Sequence, residues 1–199
     1  MLHYMRNRLA VSHILQLEEN MKELVLGVTG SIAAYKAAEI ANILTKDNIN
    51  VNVIMTEAAT KFVTPLTFQT LTKNKVYTDM FEEIDYSDVK HISLAKKADC
   101  FVIAPATANI IGKIASGIAD DMLSTVIMAV KNKPIIICPA MNTAMYENKI
   151  VQENINKLKS YGYIIVEPKE SVLACGDLGK GALADVDLIV NAIKNTINK

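Results

Sequence analysis

The sequence lacks an excess of charge of either sign, because its 21 lysines and arginines are balanced by 21 aspartates and glutamates. Proteins that bind nucleic acids usually carry a basic excess, so the composition argues against a nucleic-acid partner. The sequence also lacks any apolar run of the ~18–20 residues that a membrane-spanning helix needs. We therefore predict neither a nucleic-acid partner nor a membrane partner.

Cysteine is scarce as well, with only Cys100, Cys138 and Cys175 in the chain. An odd and sparse set argues against a disulfide scaffold and is typical of the reducing cytoplasm, so we predict a cytoplasmic protein. The spacing of the three cysteines matches no zinc pattern, and we predict no metal site. Cys100 and Cys138 lie in strand-like runs, where we expect inert core residues.

The length of 199 residues favours a single domain, and an apolar fraction of 51% allows a sizeable core. Residues 1–20 contain two arginines and short apolar stretches, but no small-residue cleavage site of a signal peptide. Met21 directly precedes the first strand-like run. We therefore predict a leader at 1–20, whose origin is open between a misread start, an added segment and a packing arm, and a domain at 21–199.

Strand-like runs alternate with helical stretches along the rest of the chain. The runs are short and almost uniformly apolar, and they lie at 24–29, 51–55, 101–104, 135–138 and 163–166. This alternation is typical of a parallel sheet covered by helices on both faces. The segment 32–46 predicts a helix, because its apolar residues recur at helical spacing. We therefore predict an α/β fold, a three-layer sandwich with a flavodoxin-like or Rossmann-like parallel sheet.

Ligands of such folds bind at the carboxyl ends of the strands, and the first of these ends is a glycine turn. In GVTGSIAAYK (27–36), Gly30 and Ser31 offer backbone N–H groups and a hydroxyl to an anion. The motif is neither GxGxxG nor a P-loop, so a single phosphate, as on a mononucleotide, fits better than a pyrophosphate. A tight turn in which Ser31 caps the helix is equally compatible with the sequence.

Two further strand ends carry hydroxyl and amide groups. In APATANIIGKIASGIADD (104–121), Thr107 and Asn109 could hold a phosphate or the polar groups of a flavin, or could only cap a helix. In CPAMNTAMYENK (138–149), Asn142 could bind a carboxylate through its uncharged amide, or could be an Asx-turn or N-cap residue. An uncharged partner favours decarboxylation, because a positive charge would stabilise the ground-state carboxylate and raise the barrier to loss of CO₂.

Cys175 and His91 are the candidates for proton transfer. Cys175 lies in LACGDLGKGALAD (173–185), whose three glycines predict a loop that closes over a ligand. His91 is the only histidine after the leader, and we expect it near the start of a short helix that ends at Lys97. An imidazole is the simplest base near neutral pH. For both residues the alternative is a place in a loop or on the surface without chemistry.

In this order, the motifs resemble those of the homo-oligomeric flavin-containing cysteine decarboxylase family. The resemblance extends from about residue 22 to the C-terminus and rests on TGSIAAYK, TPLTFQT, HISL, PATANIIGKIASGIADD, PAMN and LACGDLGKGALAD. Two positions depart from the family pattern. Ile110 replaces a hydroxyl residue of a PASANT-type motif, and Ala182 replaces the arginine of a GRMAE-type motif.

The resemblance implies a cofactor, a reaction and a set of site residues. The cofactor is FMN, and the reaction is the redox-neutral decarboxylation of 4′-phospho-N-pantothenoylcysteine to 4′-phosphopantetheine in coenzyme A biosynthesis, through thioaldehyde and enethiol intermediates. His91 is implied as the active-site base and Cys175 as a proton donor. Substrate contacts are implied at Asn142, Val172 and Ala174. FMN contacts are implied at Gly30, Ser31, Ile32, Thr56, Thr107, Ala108, Asn109 and Ala140.

The resemblance also implies a homotrimer or dodecamer with FMN near a subunit interface, and a phosphopantothenate–cysteine ligase as a partner on the same or another chain. A peptidyl-cysteine decarboxylase is the nearest alternative, and the LACGD segment favours the pantothenoyl substrate over it. His91 together with PAMN argues against a flavin prenyltransferase. The presence of His91, Asn142 and Cys175 argues against a non-enzymatic regulator. The zero net charge argues against a flavodoxin-like electron carrier.

Overall fold

A six-stranded parallel sheet forms the centre of the computed structural model, which describes residues 21–81, 89–172 and 178–198. The strands are β1 (Lys22–Val28), β2 (Ile49–Met55), β3 (Val76–Tyr77), β4 (Cys100–Ala106), β5 (Ile135–Pro139) and β6 (Ile164–Ile165). Their spatial order, β3-β2-β1-β4-β5-β6, is that of a Rossmann-like sheet, and without the two-residue β3 it is that of a flavodoxin-like sheet. The predicted fold class is confirmed. The leader predicted at 1–20 lies outside the described residues.

Helices cover both faces of the sheet. They are α1 (Ala34–Lys46), α2 (Glu57–Thr60), α3 (Pro65–Thr72), α4 (Lys90–Lys97), α5 (Ala108–Ser116), α6 (Met122–Ala129), α7 (Thr143–Glu147), α8 (Lys149–Ser160) and α9 (Val186–Ile197). Buried residues of α1, α3 and α9 pack on one face, and those of α4, α5, α6 and α8 pack on the other. None of the helices in the described ranges is long and apolar enough to cross a membrane.

The apolar pattern of the strands explains the three layers. Along β1, Leu24 and Leu26 face one layer of helices and Val25 faces the other, because successive side chains of a strand alternate between its two faces. Both faces of the strand are therefore apolar, and all three side chains are at most 1% exposed. On α1, the predicted apolar side is fully buried, at Ala37, Ile40, Ala41 and Leu44.

The connections that follow the neighbouring strands β1 and β4 run to opposite faces of the sheet, and a crevice lies between them at the carboxyl edge. The chain leaves β1 toward α1 on one face and leaves β4 toward α5 on the opposite face. In a sheet of this kind, ligands bind at this switch point, outside the carboxyl ends of the strands. The two strands are in register from Leu24 opposite Cys100 to Gly27 opposite Ile103, so the segments that follow them lie side by side.

The sequence pattern did not predict β3 or an antiparallel hairpin near the C-terminus. The hairpin consists of β7 (Lys169–Val172) and β8 (Leu178–Ala182). The prediction of a loop over 173–185 is therefore wrong for residues 178–182. Glycine is depleted in strands because it leaves no side chain to pack, so the sequence LGKGA gives no strand signal and only the hydrogen bonds with β7 reveal β8.

Candidate active site

A buried threonine hydroxyl links the ends of β1 and β4. The Thr29 Oγ1 donates to the carbonyl oxygen of Pro105 at 2.7 Å and accepts from the backbone N–H of Thr107 at 3.1 Å. Thr29 is 2% exposed, so water does not compete for these two bonds. The bridge fixes the turn after β1 against the start of α5. This start contains Thr107 and Asn109, the polar residues that the sequence singled out.

The turn after β1 lies directly against α2. A Cβ atom added at Gly30 would lie 2.5 Å from the Cβ of Ala58, so this close approach requires glycine. The backbone N–H of Thr56 donates to the carbonyl oxygen of Val28 at 3.0 Å, which holds the end of β2 beside the same turn. The ends of three strands therefore converge on the Gly30–Ser31 turn.

Three hydroxyl groups at these ends serve as local hydrogen-bond acceptors. Ser31 Oγ accepts from the Ala33 N–H at 3.2 Å, Thr56 Oγ1 from the Ala59 N–H at 3.3 Å, and Thr107 Oγ1 from the Ile110 N–H at 3.5 Å. Thr56 and Thr107 are the N-caps of α2 and α5, whereas the N-cap of α1 is Ala33, so the alternative in which Ser31 caps the helix is wrong. Each hydroxyl still has a proton to donate to a ligand.

These groups line a cavity of about 560 Å³, here called the hydroxyl cavity. Seven of the eight residues predicted to contact a cofactor line it: Gly30, Ser31, Thr56, Thr107, Ala108, Asn109 and Ala140. They come from four separate parts of the chain, and the parallel register of the strands brings them together. The eighth, Ile32, lines a neighbouring cavity.

The wall of the hydroxyl cavity contains an ion-paired lysine that the sequence did not single out. Lys113 Nζ lies 2.7 Å from Asp120 Oδ1 and 2.9 Å from Asp121 Oδ2. The hydrogen bond to Asp120 raises the pKa of Lys113 despite its partial burial. Burial alone would raise the pKa of Asp121, but hydrogen bonds from the Ser124 backbone and Lys113 lower it. The cluster joins α5 to α6, and no helical spacing in the sequence links its members.

Asn142 lines a second cavity of about 540 Å³, here called the Asn142 cavity. Ser31, Ala140 and Met141 line both cavities, which therefore adjoin. The Asn142 Oδ1 accepts from the Ala144 N–H at 2.9 Å and caps α7, so the capping alternative is confirmed. The cap also orients the side chain, because it fixes the Oδ1 end of the amide against the α7 backbone.

The hairpin is anchored against α7, next to Asn142. The Met141 N–H donates to the carbonyl oxygen of Gly181 at 2.9 Å. A Cβ atom at Gly181 would lie 2.3 Å from the Met141 oxygen, and one at Gly179 would lie 2.5 Å from Thr143 Oγ1. Gly181 thus lets β8 pack directly against the backbone around Asn142, and Gly179 makes room for the side chain of Thr143.

A buried tyrosine further ties α7 to the hairpin. Tyr146 is 6% exposed, and its hydroxyl donates to Glu167 Oε2 at 2.5 Å. Lys180 of β8 bonds the same carboxylate oxygen at 3.1 Å. Burial alone would raise the pKa of Glu167, but these bonds and one from Lys159 lower it to about 2. The carboxylate is thus ionised near neutral pH and holds the hairpin to the helix that Asn142 caps.

The two strands of the hairpin precede and follow the predicted proton donor in the chain. Cys175 and Ala174 lie outside the described residues, and Val172 is the last residue of β7. In the chain, 173–177 stand between β7 and β8, and both strands line the Asn142 cavity, β7 through Lys169 and Ser171 and β8 through Gly181 and Ala182. The predicted role of Cys175 stays a prediction, and its chain neighbours lead to and from this cavity.

His91 lies on α4, as predicted for a short helix ending at Lys97, and it is half-buried. Its side chain is not among the described residues that line either the hydroxyl cavity or the Asn142 cavity. A single copy of the described chain therefore does not bring His91 together with Asn142. Its role as the active-site base stays a prediction.

Cys100 and Cys138 are fully buried within β4 and β5. Burial raises the pKa of Cys100 to about 12 and also raises the pKa of Cys138. A protonated, buried thiol is a poor nucleophile, so both residues are inert core residues, as the sequence predicts.

Comparison with known proteins agrees with this geometry. The sequence model of the family described as Flavoprotein matches residues 12–198. The chain belongs to the Flavoprotein family. It is 50% identical to the "Probable phosphopantothenoylcysteine decarboxylase" of Streptococcus mutans over 177 residues, which cover 88% of this chain and 99% of that protein.

Other relatives are longer proteins or solved structures. The chain is 49% identical to the coenzyme A biosynthesis bifunctional protein CoaBC of Bacillus subtilis over 171 residues, 86% of this chain but 42% of that protein. A PPC decarboxylase mutant complexed with pantothenoylaminoethenethiol superposes with a TM-score of 0.84 and 31% identity, covering 90% of this chain and 100% of that chain. The FMN-dependent cysteine decarboxylase SpaF has a TM-score of 0.78 and 32% identity, covering 90% and 96%.

The Thr29 bridge leads to a prediction about stability. Replacing Thr29 with valine should lower the free energy of unfolding by about 2 kcal/mol or more, because the Pro105 carbonyl and the Thr107 N–H would be left buried without their partner. Urea unfolding measures the difference. Thr29→Ser keeps the hydroxyl and should lose about 1 kcal/mol for the missing methyl group. Equal losses for the two variants would contradict the role given to the bridge.

Proposed function

We propose that this protein is an FMN-dependent decarboxylase that converts 4′-phospho-N-pantothenoylcysteine to 4′-phosphopantetheine in coenzyme A biosynthesis. The observation that carries the proposal is the junction of the two cavities. A cavity with hydroxyl and amide donors opens, past Ser31, Ala140 and Met141, into a second cavity lined by Asn142. A mononucleotide cofactor and a carboxylate substrate could thus lie next to each other.

The donor groups of the hydroxyl cavity fit FMN. Three hydroxyl groups have their oxygens engaged with helix N–H groups and their protons left to donate, which suits an acceptor such as a phosphate or a ring carbonyl. We infer that Ser31 and the Gly30 turn would hold the phosphate, and that Thr56, Thr107 and Asn109 would bind the remaining polar groups. When bound, FMN supplies a reversible two-electron acceptor beside the substrate thiol.

The reaction needs this acceptor because direct loss of CO₂ from the cysteine α-carbon would leave an unstabilised carbanion. The substrate thiol first loses two electrons and two protons and becomes a thioaldehyde. The carboxylate is then β to an electron-poor thiocarbonyl group, and CO₂ leaves to give an enethiolate. One proton converts the enethiolate to the enethiol, and return of two electrons and two protons then gives the saturated thiol, so the overall reaction is redox-neutral and consumes one proton. His91 would accept a proton in the first stage, and Cys175 would donate one in the last.

Asn142 would bind the carboxylate that is lost. Its side chain is capped to the α7 backbone and therefore presents a fixed, uncharged amide. A lysine or arginine in this place would stabilise the ground-state carboxylate more than the transition state, in which the charge moves away. The neutral amide holds the group without adding to the barrier.

Assembly would bring His91 to the site, and we propose a homotrimer or dodecamer. His91 is half-buried on α4 and does not belong to the described lining of the two cavities. Val89, two residues before it in the chain, is 58% exposed, and Phe81 is 77% exposed, so apolar surface is available for a second copy.

Light scattering at micromolar concentration should give three times the chain mass or a multiple of that, and a monomer mass would contradict the proposal.

A phosphopantothenate–cysteine ligase would supply the substrate, and we propose that the decarboxylase domain at 21–199 works with such an enzyme in the cytoplasm. This chain spans less than half of the CoaBC proteins that it matches, 42% of one and 45% of another. We therefore place the ligase activity outside the residues of this chain.

The central prediction is that the purified protein is yellow, carries about one FMN per chain, and releases CO₂ and 4′-phosphopantetheine from 4′-phospho-N-pantothenoylcysteine. Mass spectrometry of the products and the visible flavin absorbance measure both properties. A protein that gains no flavin absorbance on titration with FMN, or that leaves the substrate unchanged when loaded, would refute the proposed function.

The second prediction separates the two proton-transfer residues. Cys175→Ser should release CO₂ but accumulate the enethiol, because a hydroxyl is several pKa units less acidic than a thiol and donates its proton poorly. His91→Asn should block the first oxidation, so that the flavin absorbance does not bleach when substrate is added without oxygen. Anaerobic stopped-flow spectroscopy with product analysis tests both. Release of saturated thiol by Cys175→Ser at the wild-type rate would remove Cys175 from the mechanism.

A further inference from the structure

Two lysines line the Asn142 cavity, and the reaction proposed above does not use them. Lys36 belongs to α1, one turn beyond Ile32, and Lys169 is the first residue of β7. Neither lines the hydroxyl cavity, whereas Ala140 and Met141, the chain neighbours of Asn142, line both. The lysines therefore belong to the part of the Asn142 cavity that the hydroxyl cavity does not share.

The charged groups around Lys36 and Lys169 give this part of the Asn142 cavity a net positive charge. Lys169 Nζ pairs with Asp185 Oδ1 at the start of α9. The hydrogen bond from Lys169 lowers the pKa of Asp185, and the charge of Lys36 lowers it further, so all three groups lie within electrostatic reach of one another. Two cations and one anion give this end of the cavity a net charge of +1.

The rest of the lining of the Asn142 cavity is largely apolar. It includes Ile32, Tyr35, Ala182 and Leu183. Ala182 is the position at which the sequence departs from an arginine, so the lysines supply the positive charge of this wall. A ligand that fits would have a carboxylate near the neutral amide, an uncharged middle and an anion at its far end.

We propose that Lys36 and Lys169 bind the terminal phosphate of the substrate and select the phosphorylated pantothenoyl compound over the unphosphorylated one. This inference rests on the function proposed above. Lysine contacts a phosphate through short, charge-assisted hydrogen bonds. The site thus treats the two anionic ends of one substrate differently, with a neutral amide for the carboxylate that leaves and cations for the phosphate that stays.

The test compares 4′-phospho-N-pantothenoylcysteine with N-pantothenoylcysteine. For each FMN-loaded enzyme, kcat/KM is measured with both substrates, and their ratio gives the preference for the phosphate. Lys36→Gln should lower this ratio by about tenfold or more, because a hydrogen bond to a charged group is lost for one substrate only. Lys169→Gln should lower it in the same direction.

Matched variants separate a phosphate contact from a general loss of structure. Lys36→Arg keeps the charge and should retain most of the preference, and Asp185→Asn removes the opposing charge and should raise it by about two- to fivefold. Lys46→Gln is the control, because Lys46 is an exposed lysine at the opposite end of the same helix. It should leave the ratio at the wild-type value. Calorimetric titration with 4′-phosphopantetheine and with pantetheine should give the same ranking.

The outcomes distinguish this inference from the function on which it rests. A wild-type enzyme that turns over both substrates equally well would overturn the phosphate subsite and leave the decarboxylase function standing. An equal loss on both substrates in Lys36→Gln, or a loss in Lys46→Gln as large as in Lys36→Gln, would also overturn it. A wild-type enzyme that turns over neither substrate would refute the proposed function itself.

Discussion

The hydroxyl of Thr29 is the interaction on which the arrangement of the site depends. It binds the Pro105 carbonyl and the Thr107 N–H, and it thereby joins two strands whose following helices leave toward opposite faces of the sheet. The pairing of the two strands ends at Gly27 opposite Ile103, and the Thr29 hydroxyl extends the link to the segments that follow them. With it, the Gly30–Ser31 turn and the start of α5 form one rigid cradle for a ligand.

Close packing also fixes the hairpin of β7 and β8 beside the Asn142 cavity. Gly181 brings β8 against the backbone at Met141, Gly179 brings it against the side chain of Thr143, and the carboxylate of Glu167 holds Tyr146 and Lys180 together. The hairpin that carries the predicted proton donor is thus fixed at its base by the same short helix that Asn142 caps. The described strands of the hairpin and the Asn142 cap are thus held by one structural unit, and a reaction that is sensitive to small displacements requires such positioning.

Local patterns predicted more of the fold than of the site. Continuous apolar runs predicted five of the six strands of the sheet, because a buried parallel strand has to be apolar on both faces. Helical spacing likewise predicted the buried face of α1. The two-residue β3 and the glycine-rich β8 were missed, since their strand character arises from pairing and not from the residues themselves. The ion pairs of Lys113 were missed because they join residues that no local period connects.

The sequence by itself determined the layer architecture, the carboxyl edge at which ligands bind, and most of the groups that line the hydroxyl cavity, because these follow from periodicity and from the chemistry of strand ends. Only the tertiary structure decided which of them meet. The parallel register brings Thr56 and Thr107 to one cavity, and the packing of the hairpin joins Lys169 of β7 to Lys36 of α1. His91 is not among the described residues that line either cavity. Distances between residues far apart in the chain depend on packing, which no local pattern specifies.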